Sequence, residues 1–315
     1  MYCDVTKKFV CKICTQDFET ERAFHAHLKK HSVTLAIYYT TYVARKNLLN
    51  GKPLPFKNKK DYFSKDFHFR EELLEWCKSE SPSIVKPYII QALSTRIKEK
   101  KWKKAPPHLE LELRFLPSIN IYKKLFNSYT NACVEADTSP FYTQLLPSNF
   151  FKKSTNFDDI EILIDTREQL PLNFKKCRDL KLDFGDYTLG GVDYNYTYVD
   201  RKTESDFKST MTQGLQRFTK ELQRAVQFNS YLYIVIESTI EKIFENNLIS
   251  PRKSNLNFIF HNMINLMHEF STDCQFIFAG NRERAQALIP RLLNHGNILW
   301  NCDMQYYLDN YGTTT

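Results

Sequence analysis

The chain has 315 residues, 42% of them hydrophobic and 25% charged, with a net charge of +8, which suits one sizeable core and at least one smaller unit. No apolar run reaches membrane-spanning length and charges interrupt the first ten residues, so neither a membrane span nor a secretory leader is expected. The expectation is a soluble chain in three parts: residues 1–32, 33–156 and 157–315.

Charge is unevenly spread along these parts. Residues 1–60 carry twelve Lys or Arg against four acids, residues 61–156 fifteen against eleven, and residues 157–315 seventeen against twenty-one. A basic amino-terminal half that releases counterions from phosphate therefore sits in the same chain as an acidic carboxyl-terminal part. The bland alternative is that lysine-rich surfaces simply favour solubility.

The first motif is Cys11-x2-Cys14-x12-His27-x3-His31, whose intervals are those of a two-cysteine, two-histidine zinc site. A hairpin would present the two thiolates. A helix from about Glu21 would present His27 and His31 at i, i+4 on one face, with Phe18 and Phe24 as its core. Structural Zn²⁺ is expected. If the helix starts there, Thr20, Ala23 and Ala26 would face base edges, and two alanines cannot form bidentate contacts to a base. Lys29 and Lys30 are left as phosphate contacts without sequence specificity, or the module docks onto protein.

The other six cysteines have no framework spacing, so a reducing intracellular compartment, cytoplasm or nucleus, is expected, with these residues as buried small hydrophobes.

The middle region is expected to be mainly helical. Val33 to Asn50 carries Leu35, Tyr38, Tyr39, Tyr42 and Val43 at helical spacing and stops at Gly51-Lys52-Pro53, with the tyrosines packing a core rather than stacking on bases. Asn58 to Lys60 is a loop. Helices follow at about Arg70 to Lys78 and Ser83 to Lys101, then a strand at Leu109 to Phe115 and a helical stretch near Tyr122 to Cys133. In the run ending the second of these helices, Lys101, Trp102 and Lys103 would hold a phosphate backbone and stack one base. A solvated helix terminus explains the run equally well. His261 and His268, further on, are expected to satisfy local hydrogen bonds.

From residue 157 the pattern alternates strand and helix. Strands are expected at 161–165, near 178–184, at 195–201, 231–236 and 274–279. Helices are expected at 205–228, 240–247, 254–270 and 281–294. This predicts an α/β fold: a mixed sheet with helices on both faces. Glu161 to Ile164 is an apolar run that ends in Asp165-Thr166-Arg167-Glu168; next comes Gly185-Asp186-Tyr187; then Val199-Asp200-Arg201-Lys202, with Asp206 four residues on. Strand alternation puts Asp200 and Lys202 on one face and Arg201 on the other. A carboxylate and an ammonium held side by side suit phosphodiester hydrolysis, the carboxylate for a divalent metal and the lysine for the attacking water or the developing charge.

Gly185-Asp186, then Asp200-Arg201-Lys202 and three residues before Asp206, resembles the motif of the XPF-type nucleases, in which Glu stands before Arg-Lys. Asp165 to Glu168, Arg217-Phe218 and Tyr231 to Glu237 extend the resemblance over about residues 157–295, which implies a restriction-endonuclease-like domain. The resemblance further implies metal-dependent DNA cleavage at branched, flapped or single-strand-containing sites. Asp186 and Asp200 would hold Mg²⁺ or Mn²⁺, Lys202 would stand near the nucleophile, Arg201 and Arg217 would meet phosphate, and Asp165, Glu168 and Asp206 would be supporting acids. Asp200 in place of Glu shortens the reach to metal by about 1.5 Å. The resemblance also implies pairing through the nuclease domain as a homodimer or heterodimer. Many such enzymes continue into paired helix-hairpin-helix modules that hold duplex DNA; without them the burden of DNA binding moves to the amino-terminal half. An RNA substrate is not excluded by any residue. The rival expectation is an inactive nuclease fold kept as a DNA-binding scaffold, as inactive relatives do after losing several acids.

Overall fold

The computed structural model describes residues 9–54, 66–151, 157 and 159–312. The chain forms two compact units, residues 1–85 and 86–315. Cys3 and the loop expected at Asn58 to Lys60 lie outside the described residues.

In the first unit, β1 (Phe9–Val10) and β2 (Asp17–Phe18) pair antiparallel, and α1 (Glu21–Leu28) follows. Thr20 caps α1, its hydroxyl accepting from the Ala23 N–H at 3.3 Å, so the helix starts where the capping signal placed it. A 3₁₀ turn (Lys29–His31) carries His31 onward. The helix expected from Val33 is shorter, α2 (Leu35–Tyr42). The chain then folds back, Asn47 N–H donating to the Lys52 carbonyl with Gly51 at φ +68°, a reversal that helical periodicity cannot register. Tyr38 is buried against Phe24, with its hydroxyl taking the Lys12 N–H at 2.7 Å. Tyr38 therefore packs the hairpin and helix as expected, with Tyr39 half-buried beside it, whereas Leu35, Tyr42 and Val43 of the same stripe are exposed. The helix α3 (Arg70–Ser79) follows the described gap.

The second unit is built on a six-stranded sheet in the order β4-β3-β5-β6-β7-β8. Its strands are β3 (Ile162–Asp165), β4 (Cys177–Leu180), β5 (Tyr187–Leu189), β6 (Thr197–Lys202), β7 (Tyr231–Ile236) and β8 (Cys274–Phe278). β5 runs antiparallel to both its neighbours, and the other pairings are parallel. β7 reads Tyr-Leu-Tyr-Ile-Val-Ile and is buried throughout, as expected of a parallel strand covered on both faces.

One face carries Leu232, Ile234, Ile236, Phe276 and Phe278, and packs against α8 (Glu204–Thr210), α9 (Leu215–Gln227), α10 (Ile240–Ile249) and α11 (Leu256–Glu269). The other carries Ile162, Ile164, Tyr187, Val199, Tyr233 and Val235, and packs against α12 (Arg282–His295) and the start of α13 (Met304–Tyr311). The exposed N–H at the β8 edge is closed by a side chain, Phe278 N–H donating to Gln305 Oε1 at 2.7 Å, which removes a pairing template.

Several local expectations are corrected. The single helix at 205–228 is two helices, because Gly214 passes so close to Thr210 that a Cβ would lie 3.1 Å from its Cα. The strand near 178–184 ends at Leu180, and β5 is a separate strand. The expected strand at 109–115 is instead the helix α5 (His108–Leu113). Its Leu-Glu-Leu-Glu-Leu alternation read as period two, yet Glu110 is fully buried and bonded to Arg96 and His268, each at 2.9 Å. Alternation signals a strand only when the polar residues face water.

Residues 86–151 pack onto the sheet unit rather than standing apart. They contain the rest of α4 (Pro82–Lys100), α5, α6 (Ile119–Phe126) and α7 (Tyr129–Glu135). Leu109 enters the first core, His108 N–H donates to Asp303 at 2.9 Å, and Lys123 donates to the Tyr306 hydroxyl at 2.9 Å. His268 likewise reaches across to Glu110 rather than bonding locally, while His295 bonds the carbonyl of Arg291 within its own helix. Cys77, Cys133, Cys274 and Cys302 are buried as expected, but Cys177 is exposed on the edge strand β4. No described helix is long and apolar enough to cross a membrane.

Candidate active site

The sheet register sets three acids in one row. Ile164 pairs with Tyr187 and Tyr187 with Val199, so continuing by one residue places Asp186 between Asp165 and Asp200. On the β3 side the backbone agrees, Asp165 N–H donating to the Asp186 carbonyl at 2.8 Å. On the β6 side Asp186 N–H donates to the Val199 carbonyl at 2.7 Å, one residue off that register, and the Arg201 N–H on Asp186 Oδ2 at 2.7 Å holds the carboxylate at the end of β6. Asp186 precedes β5 rather than ending a strand. It reaches the row because β5 runs down between two strands that run up. Directly opposed residues share a face, and this is the face of Tyr198, covered by α8 to α11.

Gly185 makes the turn into the row possible. It sits at φ +65°, and a Cβ there would meet Leu232 Cδ1 at 3.1 Å and the Val199 carbonyl at 3.2 Å. The segment needs both the left-handed conformation and the missing side chain.

Each acid then has a different task. Asp165 is buried and saturated: Arg167 Nε and Nη2 each donate at 2.8 Å, and the N–H groups of Arg167 and Leu182 donate at 2.7 and 2.8 Å. Burial opposes its charge, but Arg167 outweighs it and holds the carboxyl below its usual range. Both oxygens are committed to structure. Asp186 takes only the Arg201 N–H, at 2.7 Å on Oδ2. Burial and the neighbouring Asp200 push it well above the ordinary carboxylate range, against the pull of that N–H and of Lys202. Asp200 holds Lys202 Nζ at 3.0 and 2.8 Å from its two oxygens. Burial works against the Lys202 charge, but Asp200 more than offsets it and raises the ammonium's pKa.

Glu221 joins this group and was missed in the sequence. It reaches in from α9, accepting the Gly185 N–H at 3.0 Å, and burial with the nearby Asp200 charge raises its pKa. A signal was present. Phe218, Leu222 and Ala225 are the buried stripe of α9, and position 221 falls in that stripe at i+3 from Phe218, where an acid needs a reason.

The remaining expected acids lie elsewhere. Glu168 is held by Arg201 at 2.9 Å and by the Leu170 N–H at 2.8 Å. Asp206 is exposed in the first turn of α8, bonded to the Thr203 hydroxyl at 2.6 Å as part of its cap. Arg201 points to the opposite face, as alternation requires. Its side chain is 5% exposed and also paired with Glu237 at 2.9 Å, so the guanidinium is not presented to solvent. Arg217, Lys29, Lys30, Lys101 and Lys103 are exposed. Trp102 is not open for stacking: the His268 ring lies parallel on it at 3.5 Å, with Arg96 also over the indole at 5.0 Å.

Two sets of residues offer metal ligands. In the first unit Cys14 Sγ lies 3.1 Å from His27 Nε2, Cys11 Sγ 3.6 Å from His31 Nε2, and the two Nε2 atoms 3.0 Å apart, all within 4.8 Å of one another. Tetrahedral zinc with two sulfurs and two nitrogens needs ligand edges of roughly 3.3–3.8 Å; one of these edges lies in that range and the other two are slightly shorter, so the four residues could hold the ion after a small outward shift. Among the described residues this is the one group of three or more such ligands gathered so closely. The acid row therefore offers Asp186 and Asp200 rather than a closed cage. Two hard oxygen donors that repel each other suit an ion such as Mg²⁺, which keeps several waters and takes one or two carboxylates.

No family model matches the chain, and no curated protein matches it. Two solved structures are similar over part of it. XPF from Aeropyrum pernix is 17% identical with a TM-score of 0.33, covering 43% of this chain and 66% of that one. XPF from Aeropyrum pernix in complex with DNA is 18% identical with a TM-score of 0.31, covering 43% and 64%. The chain spans less than two thirds of the length of either.

Proposed function

We propose that residues 86–315 are a metal-dependent endonuclease that hydrolyses DNA phosphodiester bonds at branched, flapped or single-strand-containing sites, and that residues 9–42 are a zinc-stabilised accessory module. The observation that supports this best is the juxtaposition of Asp186 and Asp200 with Lys202 Nζ on one sheet face. Two carboxylates raise each other's proton affinity unless a cation lies between them, and one ammonium answers only part of that charge. Asp186 and Asp200 would hold Mg²⁺ or Mn²⁺, which would supply Lewis-acid chemistry for phosphodiester hydrolysis.

The chain's own residues do the rest. Asp200 holds Lys202 in place, so the ammonium is aimed where a pentavalent phosphorus would gather charge. Glu221, tied to the Gly185 N–H, keeps the turn that presents Asp186. Asp165 ties the loop through Leu182 to the end of β3, and the buried Arg201 anchors β6 from behind. Exposed Arg217, on the same helix as Glu221, is the candidate for holding the flanking phosphate, and the exposed Lys29, Lys30, Lys101 and Lys103 add affinity without sequence preference.

Cleavage assays on single-stranded, duplex, flap and four-way DNA test this. Cutting is expected with Mg²⁺, none without a divalent ion, and a fall of about 10²–10³-fold for Lys202→Ala with binding retained. Normal cutting by Lys202→Ala would refute the assignment. A second reading is favoured by one observation: Lys202 sits on both oxygens of Asp200, an arrangement that also neutralises that carboxylate without metal. A protein that binds flap DNA, takes up no Mg²⁺ by calorimetry and never cuts would be a scaffold.

For the accessory module, about one zinc per chain is expected by elemental analysis. Cys14→Ser or chelation should remove the helical signal of residues 21–42, since ligand binding and folding are one event in such units. Full helicity without metal would contradict it.

A further inference from the structure

Behind Trp102, three elements of the second unit bring cations together. Arg96 and Lys100 lie one turn apart on α4, at 5.0 and 5.8 Å over the same indole. Lys100 Nζ is 3.5 Å from His261 Nδ1 on α11. Arg114, just past α5, faces Arg96 and Lys100. Glu110 is the only buried carboxylate among them, and both its oxygens are already used, one by Arg96 and one by His268. Glu99 adds a distant, exposed charge. Three permanent cations thus face one committed acid.

Two donors there are left over. Arg96 Nη2 and Arg114 Nε are buried with no hydrogen-bond partner among the described residues. A buried guanidinium N–H without an acceptor costs about 1–3 kcal/mol, and like charges add to it. Burial and the neighbouring cations depress both Lys100 and His261. An arrangement so unfavourable by itself is relieved by an oxyanion with several acceptor oxygens. Lys100 and His261 are part-exposed, so the site opens to solvent, and α11 places it on the same side of the sheet as the acid row.

We propose that Arg96, Lys100, Arg114 and His261 form a binding site for a backbone phosphate of DNA, remote from the reacting phosphate. This rests on the nuclease reading and adds to it a second point of grip. Arginine forks and a lysine ammonium converging on one point are a donor set suited to a phosphate. The half-exposed indole supports that set from beneath; it does not stack a base.

The test is DNA binding by the full chain without added divalent ions, followed by fluorescence anisotropy over a salt series. Lys100→Gln and Arg114→Gln are each expected to weaken binding about 5–10-fold near 0.1 M salt and to shorten the log–log salt slope by about one. Lys100→Gln, part-exposed and freed of its like-charged neighbours, should melt no lower than the parent, which guards against misfolding. Unchanged affinity and slope in both variants, with the parent binding DNA, overturns this site and leaves the nuclease reading intact. A parent that binds no DNA overturns the reading beneath it. Inorganic phosphate that raises the parent's Tm but not that of Lys100→Gln, with DNA binding unaltered, overturns the DNA assignment in favour of a small phosphate compound.

Discussion

Asp186→Asn is expected to abolish cutting, by about 10³-fold or more, while making the metal-free protein melt higher. The two effects share one cause. Asp186 is buried beside Asp200, and this holds its proton affinity well above that of a free carboxyl. A raised folded-state pKa stabilises the fold only while the group is protonated. The contribution is complete below the ordinary carboxylate range and is lost as pH rises through the raised value of the folded protein. Above the ordinary carboxylate range and without metal this group therefore weighs against folding, whether as a charge beside Asp200 or through the proton it must take up. An amide of the same shape removes the like charge and still accepts the Arg201 N–H. A gain of about 1 kcal/mol, or ~2–4 °C for a unit of this size, is the expectation. Mild acidification of the parent should reproduce part of that gain and should move Asp186→Asn less, Glu221 keeping its own raised proton affinity there. Calorimetric scans over pH without divalent ions check this, and a Tm below the parent's would mean that the carboxylate serves the fold rather than a metal.

The second large effect is structural. Arg201→Met should destabilise the second unit by about 3–5 kcal/mol, a fall in Tm of ~6–20 °C. Arg201 is the common partner of Glu168 and Glu237, each at 2.9 Å, and all three side chains are nearly enclosed. Methionine fills similar space but leaves two buried carboxylates, only one of which keeps a cation, Arg282 at 3.4 Å from Glu237. Adding Glu168→Gln and Glu237→Gln should restore much of the loss, because replacing a whole buried charge cluster costs far less than breaking it. Urea unfolding of the single and triple variants decides the matter. If Arg201→Met unfolds at the parent's midpoint and instead weakens DNA binding, the guanidinium meets phosphate rather than the sheet.

Legibility followed periodicity and partnership. β7 was plain in the sequence because a buried parallel strand needs an unbroken apolar run. The Cys11 to His31 spacing was plain because ligands able to hold a tetrahedral ion must fall at set intervals in loop and helix, and the four side chains do gather. The alternation at Asp200-Arg201-Lys202 correctly separated the two faces, and Asp186, Asp200 and Lys202 do come together. The tasks of the other charged residues were not legible. Nothing local distinguishes Asp165, closed off by Arg167 and Leu182, from Asp186, which keeps an oxygen free. The Leu109 to Leu113 segment failed for the same reason: its alternating acid has a partner 158 residues away.

By itself, then, the sequence determined β3, β6, β7 and β8 but not β5, which residues of 200–202 share a strand face, and that four thiol and imidazole ligands stand at metal spacing. These depend on neighbours a few positions apart, where covalent geometry transmits the constraint directly. Only the tertiary structure decided which acids keep an oxygen outside structural bonds, that Glu221 joins them from a helix, and that Arg96, Lys100 and Arg114 crowd around one carboxylate. Such facts depend on burial and on charges brought close by distant segments, and Coulomb and desolvation energies respond to distance in space, to which position along the chain is blind.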